Sequence, residues 1–227
     1  MDMPIPSAEI LSSRADHIAA LKSVVPADRV IEDVIGLRAY ECDALTAYRC
    51  TPLAVVLPCN TEEVAAVLKL CHDRGIPVVP RGAGTSLAGG SLPTADAVVV
   101  GVARLTDVLE VDYDDRIMRI QTGRTNLSVT AAIEEDGWFY APDPSSQLAC
   151  AISGNIGMNS GGAHCLKYGV TVNNLLGLRM VLMDGTIIDL GGAHMDAGDI
   201  HLLPVVCGAE GPFGIVTETT LRTLPKP

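Results

Sequence analysis

From Leu53 onward, short apolar runs alternate with stretches in which apolar residues recur every three or four positions. The run LAVVL (53–57) has the length and β-branched content of a buried strand. Asn60 or Thr61 then offers a helix cap, and Glu63 is placed to complete a capping box. Val64, Val67, Leu68 and Cys71 share one helical face until Gly75 stops the helix. IPVV (76–79) predicts the next strand, which makes residues 53–79 a β-α-β unit. Upstream, Ile10, Ile18, Leu21 and Val25 form a helical stripe closed by Pro26. Residues 1–50 therefore predict a helical lead-in followed by an irregular segment.

Downstream the period shortens. Ala97–Val102 reads as a buried strand, and Val108–Tyr113 with Ile117–Thr122 as a hairpin around the acidic turn Asp114-Asp115. Leu127–Glu135 predicts a helix ended by Gly137. A second hairpin, 175–183 with 186–190, turns at Asp184-Gly185. A short helix near Ile200–Val206 and a strand over Ile215–Leu221 complete the pattern. The expected fold is α+β, with two lobes at about 51–115 and 116–227 behind the lead-in.

Composition removes several function classes. Of 227 residues, 48% are hydrophobic, enough for a substantial core. The formal net charge is −11 and no basic run or basic-aromatic stripe occurs, which argues against a nucleic-acid partner. No apolar run is long enough to span a bilayer. The N-terminus MDMPIPSAEI lacks the basic and apolar character of a signal peptide. Seven cysteines without a CxxC pair suggest reduced thiols in a cytoplasmic protein. The five histidines (17, 72, 164, 194 and 201) supply no short-spaced ligand pairs, so no metal site is expected.

The chemistry concentrates in two glycine-rich segments. RGAGTSLAGG (81–90) follows the strand that ends at Pro80, and PDPSSQLACAISGNIGMNSGG spans 142–162. Two phosphate motifs fail on inspection. A GxGxxG fingerprint from Gly82 meets Leu87 where its last glycine belongs, and no helix can follow through Gly89, Gly90 and Pro93. A P-loop from Gly84 meets Gly90 where its lysine belongs. A cradle of backbone N–H groups remains, flanked by the Thr85 and Ser86 hydroxyls. Such a concavity suits an anion held permanently rather than one that is cleaved. A tight turn without a ligand is the alternative for the first loop alone, and the second glycine-rich region weighs against it.

Four motifs in order, namely 81–90, PDPSS (142–146), SGNIGMNSGGAHCLKYGVTVNNLLG (153–177) and GAEGPFGIVTETTLRTLPKP (208–227), resemble the FAD-binding domain of the vanillyl-alcohol oxidase and p-cresol methylhydroxylase superfamily. Within it they are most similar to the FAD subunit of bacterial glycolate oxidase and to D-lactate dehydrogenases. The resemblance runs from about Pro52 to Pro227 and implies a two-lobed fold with noncovalent FAD between the lobes. It assigns Pro80, Arg81, Gly82, Ala83, Gly84, Thr85, Ser86, Gly89 and Gly90 to the pyrophosphate. Pro142, Asp143, Ser145 and Ser146 would lie along the flavin and its linker. Gly154, Asn155, Met158, Asn159 and Gly162 would meet the ribityl chain and ring edge, with Tyr168 and Gly169 beside them. Glu210, Gly214, Ile215 and Val216 would face the adenosine half. No histidine stands in the first loop, where several relatives attach flavin covalently, and Cys150 reads as a buried structural thiol. Ala209, Pro212 and Phe213 depart from the family's usual GSEGTLGIVTE.

The resemblance further implies oxidation of a 2-hydroxy acid of the glycolate or D-lactate type, with electrons passed to an acceptor. A partner subunit carrying an iron-sulfur acceptor and a peripheral place at the inner membrane would follow. An FAD-holding module without turnover and a same-fold flavin reductase are the alternatives. Relatives place substrate recognition in a second domain after the LPKP-like segment, so a flavin-binding half with the C-terminal substrate domain absent is expected. His164 and Cys165 are adjacent and, in an extended segment, would point to opposite faces, which favours scaffolding over a catalytic pair. The catalytic residues are left unassigned.

Overall fold

The computed structural model describes residues 3–193 and 200–227, and His194 lies outside them. Helices α1 (Ala8–Ser12) and α2 (Arg14–Val24) lead into β1 (Val30–Ile31) and α3 (Val34–Arg38). Then β2 (Ala54–Val56), α4 (Thr61–Asp73), β3 (Val78–Arg81) and β4 (Val98–Gly101) complete a four-stranded sheet of order β1-β2-β4-β3. Strand β4 pairs in parallel with both β2 and β3, so the sheet needs cover on two faces. Alternation provides it. Val56, Val98 and Val100 face one core together with α4, whereas Val55 and Val99 face Leu37 of α3.

The second lobe carries β5 (Val108–Asp112), β6 (Ile117–Gln121), α5 (Asn126–Ala131), β7 (Trp138–Phe139), α6 (Ile152–Met158), α7 (Cys165–Tyr168), β8 (Leu175–Leu182), β9 (Ile187–Gly191), α8 (Leu203–Val206), β10 (Gly214–Arg222) and β11 (Leu224–Pro225). Its five-stranded sheet, β5-β6-β10-β8-β9, is antiparallel throughout. Met118, Ile120, Leu178 and Met180 of that sheet share a core with Val129, Ile152 and Ile156. Helix α4 joins the lobes: its Val64, Val67 and Leu68 lie in one cluster with Val181 and Ile215 of the second sheet. The Thr61 hydroxyl donates to Thr217 Oγ1 at 2.9 Å across the same junction.

Four expectations change. The lead-in is not separate, because β1 pairs antiparallel with β2 (Val30 with Val56) and so protects a sheet edge. A lobe division at 115/116 would split a hairpin. Strand β5 pairs with β6, so the change of sheet falls between Gly101 and Val108. The helix expected to reach Glu135 ends at Ala131, where Ile133 and Gly137 donate to carbonyls three residues back and the turn tightens. His164 and Cys165 occupy a helical turn, not an extended segment.

Candidate functional site

The end of β3 and the start of α6 meet across a cleft of about 340 Å³ between the lobes. From the first lobe Pro80, Arg81, Gly82, Ala83, Gly84, Thr85, Ser86 and Gly90 line it. Ser146, Gly154, Asn155, Met158, Glu210, Gly214, Ile215 and Val216 line it from the second. These parts of the four sequence motifs are separate in the chain and converge on one surface.

Two glycines of the first loop sit where a side chain would collide with its surroundings. A Cβ on Gly82 would lie 2.8 Å from Ser153 Oγ and 3.3 Å from Gly154 N. Gly84 has φ +71, and a Cβ there would fall inside the Arg81 guanidinium. That guanidinium is almost fully buried beneath the loop. It donates to Cys42 O at 2.8 Å and stacks 5.4 Å from the Tyr40 ring centroid. Burial pulls its pKa below the ordinary arginine value, against the opposing pull of Tyr40, Cys42 and Asp43.

Two of the loop's amides have protein acceptors. Gly89 N–H donates to Asp43 Oδ2 at 2.8 Å and Ala88 N–H to Ser86 Oγ at 3.1 Å. Among the described residues, those of Ala83, Gly84, Thr85 and Ser86 donate to no protein acceptor. Opposite them the Ser153 hydroxyl is buried without a hydrogen-bond partner and lines the cleft. A buried polar atom without a partner calls for a ligand or water. Four free amides and an orphaned hydroxyl fit a phosphate-bearing group.

The remaining expected residues stand outside the cleft lining, Gly89 among them with its amide given to Asp43, and most of the others have another engagement. Asp143 holds His164, with Oδ2 2.5 Å from the ring Nδ1 and Oδ1 accepting the His164 N–H at 3.2 Å. Gly162 lies against the Asp143 carbonyl so closely that no Cβ would fit. Asn159 ends α6 at φ +48, and its Oδ1 accepts from Val172 N–H at 3.0 Å. Tyr168 meets the Phe139 ring edge-on, and Gly169 at φ +76 abuts Asn173. Pro142 is buried beside this segment and Ser145 is exposed. The fourth motif braces the back of α6, where Gly208 and Glu210 donate to the Ile156 and Gly157 carbonyls at 2.8 and 2.9 Å.

Asn155 is anchored from both sides. Its Oδ1 accepts from Asn126 Nδ2 at 2.9 Å, and its Nδ2 donates to Cys150 Sγ at 3.2 Å. Cys150 is only 3% exposed. Sequence reasoning missed Ser153, although it stands in the quoted SGNIG, and it missed Cys42 and Asp43, which no motif marks. Among the described residues no cluster of three potential metal ligands occurs, and no helix is long and apolar enough to cross a membrane.

A mixed and an antiparallel sheet, joined over a cleft lined by glycine-rich segments with free amides, make a two-lobed fold with room for an elongated, phosphate-bearing cofactor. The chain belongs to the FAD binding domain family, whose description matches residues 52–191. It is 44% identical over 214 residues to the glycolate oxidase subunit GlcD of Escherichia coli, covering 94% of this chain and 43% of that protein. It is 34% identical to a D-lactate dehydrogenase of Anaerostipes hadrus, covering 93% and 45%. To the mitochondrial D-2-hydroxyglutarate dehydrogenase of Bos taurus it is 33% identical, covering 93% and 39%. The chain thus spans less than half the length of these relatives. A solved alkyldihydroxyacetonephosphate synthase superposes at a TM-score of 0.82 with 22% identity, over 99% of this chain and 42% of that one, a likeness of fold.

Proposed function

We propose that the chain holds FAD noncovalently in the interlobe cleft, as the flavin-binding part of an oxidoreductase acting on a small 2-hydroxy acid. The observation that carries the cofactor reading is the pairing of four free amides, Ala83 to Ser86, with the orphaned Ser153 hydroxyl across the cleft. These groups suit the pyrophosphate. Gly214, Ile215 and Val216, where β10 begins, line the cleft and would meet the adenosine half. Gly154, Met158 and Ser146 leave room for the flavin end. Bound FAD would supply two-electron acceptor chemistry. The residues lining the cleft bind, orient and exclude water.

The 2-hydroxy acid assignment draws on the names of the relatives, which are a glycolate oxidase subunit, a D-lactate dehydrogenase and a D-2-hydroxyglutarate dehydrogenase. The word "subunit" in the first supports a multi-subunit assembly. An iron-sulfur protein as acceptor, and a place in the cytoplasm or at the inner-membrane surface, are inferred from the family resemblance alone. Oxidising a hydroxy acid requires a cation for its carboxylate and a base for its hydroxyl. Among the described residues Arg81 is the one arginine lining the cleft, and it is turned toward Cys42 and Tyr40, so it is not free to clamp a carboxylate. A chimera with this chain in place of the matching segment of Escherichia coli GlcD tests the assignment. It is expected to reduce a dye with glycolate or D-lactate. A folded, FAD-loaded chimera inert to both would refute it.

A further inference from the structure

The segment just before the matched family region grips the cradle at three points. Residues 40–45 precede residue 52, where the FAD binding domain match begins. Asp43 is 4% exposed, and both its carboxylate oxygens are used. Oδ1 accepts Leu45 N–H at 2.9 Å, and Oδ2 accepts Gly89 N–H at 2.8 Å from 46 residues away. Ala44 N–H donates to Ser86 O at 3.1 Å. The Cys42 carbonyl accepts from Arg81, whose guanidinium fills the space beneath Gly84. Hydrogen bonds therefore fix the loop at its start, middle and end. They use the Gly89 amide and the Ser86 carbonyl, and leave the amides of Ala83 through Ser86 free.

We propose that Asp43 is a positioning residue for the cofactor pyrophosphate, holding the 81–90 loop so that its free amides converge on the phosphates. The inference rests on the FAD reading above. A buried carboxylate accepting two backbone amides is a strong, directional anchor. Without it the Gly89 amide loses its acceptor, and the glycine loop regains the conformational freedom that binding must remove.

The test uses apoprotein of the full chain, titrated with FAD by flavin fluorescence, beside its thermal midpoint and the 31P spectrum of the bound pyrophosphate. Asp43→Ala is expected to weaken FAD binding by about tenfold or more, the scale of one lost charge-assisted hydrogen bond. It is also expected to shift the 31P resonances. Asp43→Asn can accept from only one of the two amides, so it is expected to fall between wild type and Asp43→Ala, and it carries the test if the alanine variant does not fold. Wild-type 31P shifts, with affinity falling only as far as thermal stability does, would overturn the proposal and leave Asp43 a purely structural anchor. Wild-type apoprotein that fails to take up FAD would strike the cofactor reading first, and the proposal with it.

Discussion

Replacing Gly84 with alanine separates a ligand cradle from an ordinary turn. Two penalties meet there. An L-residue at φ +71 enters the left-handed region, at about 1–2 kcal/mol. The new Cβ also evicts the Arg81 guanidinium and breaks its bond to the Cys42 carbonyl, a charge-assisted hydrogen bond worth about 1.5–3 kcal/mol. Together these give about 2.5–5 kcal/mol, shared between folding and binding according to how far the loop relaxes. For a chain of this size about 1 kcal/mol moves the midpoint by roughly 2–4 °C, so the apoprotein should melt about 5–20 °C lower if the whole penalty falls on folding. FAD should bind at least about tenfold more weakly, since 1.4 kcal/mol of the total suffices for that.

Gly75 is the control. It has φ +64 but no atom within 4 Å of a built Cβ, and it caps α4 away from the cleft. Gly75→Ala should therefore show the strain alone and leave FAD affinity unchanged. Gly82→Ala should show the reverse balance, with a modest change in midpoint and clear weakening of FAD, because its Cβ would press on Ser153 and the Gly154 amide across the cleft. Differential scanning calorimetry and fluorescence titration of the three variants decide the matter. A Gly84→Ala protein indistinguishable from Gly75→Ala in both assays would refute the reasoning.

Other predictions follow from the same contacts. Acid precipitation of the holoprotein should leave all flavin in the supernatant, because Cys150, although it borders the cleft, is buried and its thiol is engaged by Asn155; flavin on the pellet would contradict this. Asn155→Ala strands the buried Asn126 amide and should destabilise the fold by about 1–3 kcal/mol, read as a lower urea midpoint. Burial pushes the Cys207 thiol up to about 11 and Cys71 up to about 12, from 9.0. The folded state thus resists losing protons that the unfolded chain gives up. Stability carried by these thiols is whole below pH 9 and lost as pH rises through 11 to 12, and a flat urea midpoint from pH 8 to pH 11 would speak against it. At pH 8 the exposed Cys165 should be alkylated ahead of Cys71, Cys150 and Cys207, a ranking that peptide mapping can check.

How much of this was legible depended on the range of the interactions. Local signals were read well. Asn60 does cap α4, accepting from Glu63 N–H at 2.8 Å, and both hairpins pair as their alternation implied. Glu63, however, reaches back to Cys59 N–H and to Arg29 rather than closing the box on Asn60. Strand β1 was illegible because two residues carry no period, and only the exposed edge of β2 makes them a strand. The grip of Asp43 on Gly89 spans a sequence distance that no local pattern encodes. Glycine content picked out segments that line the cleft but did not tell glycines in the lining from those, such as Gly162 and Gly169, that pack against Asp143 and Asn173. The helical turn at His164 was missed for a similar reason, since Asp143 fixes it from outside the segment.

Equilibrium dialysis of the apoprotein against FAD and FMN tests the central claim most directly. A cleft that runs from the flavin end past the amide cradle to β10 should retain one FAD per chain. It should bind FMN at least about tenfold more weakly, because FMN lacks the adenosine half and one of the two phosphates. Failure to retain FAD, or equal affinity for the two flavins, would contradict the account.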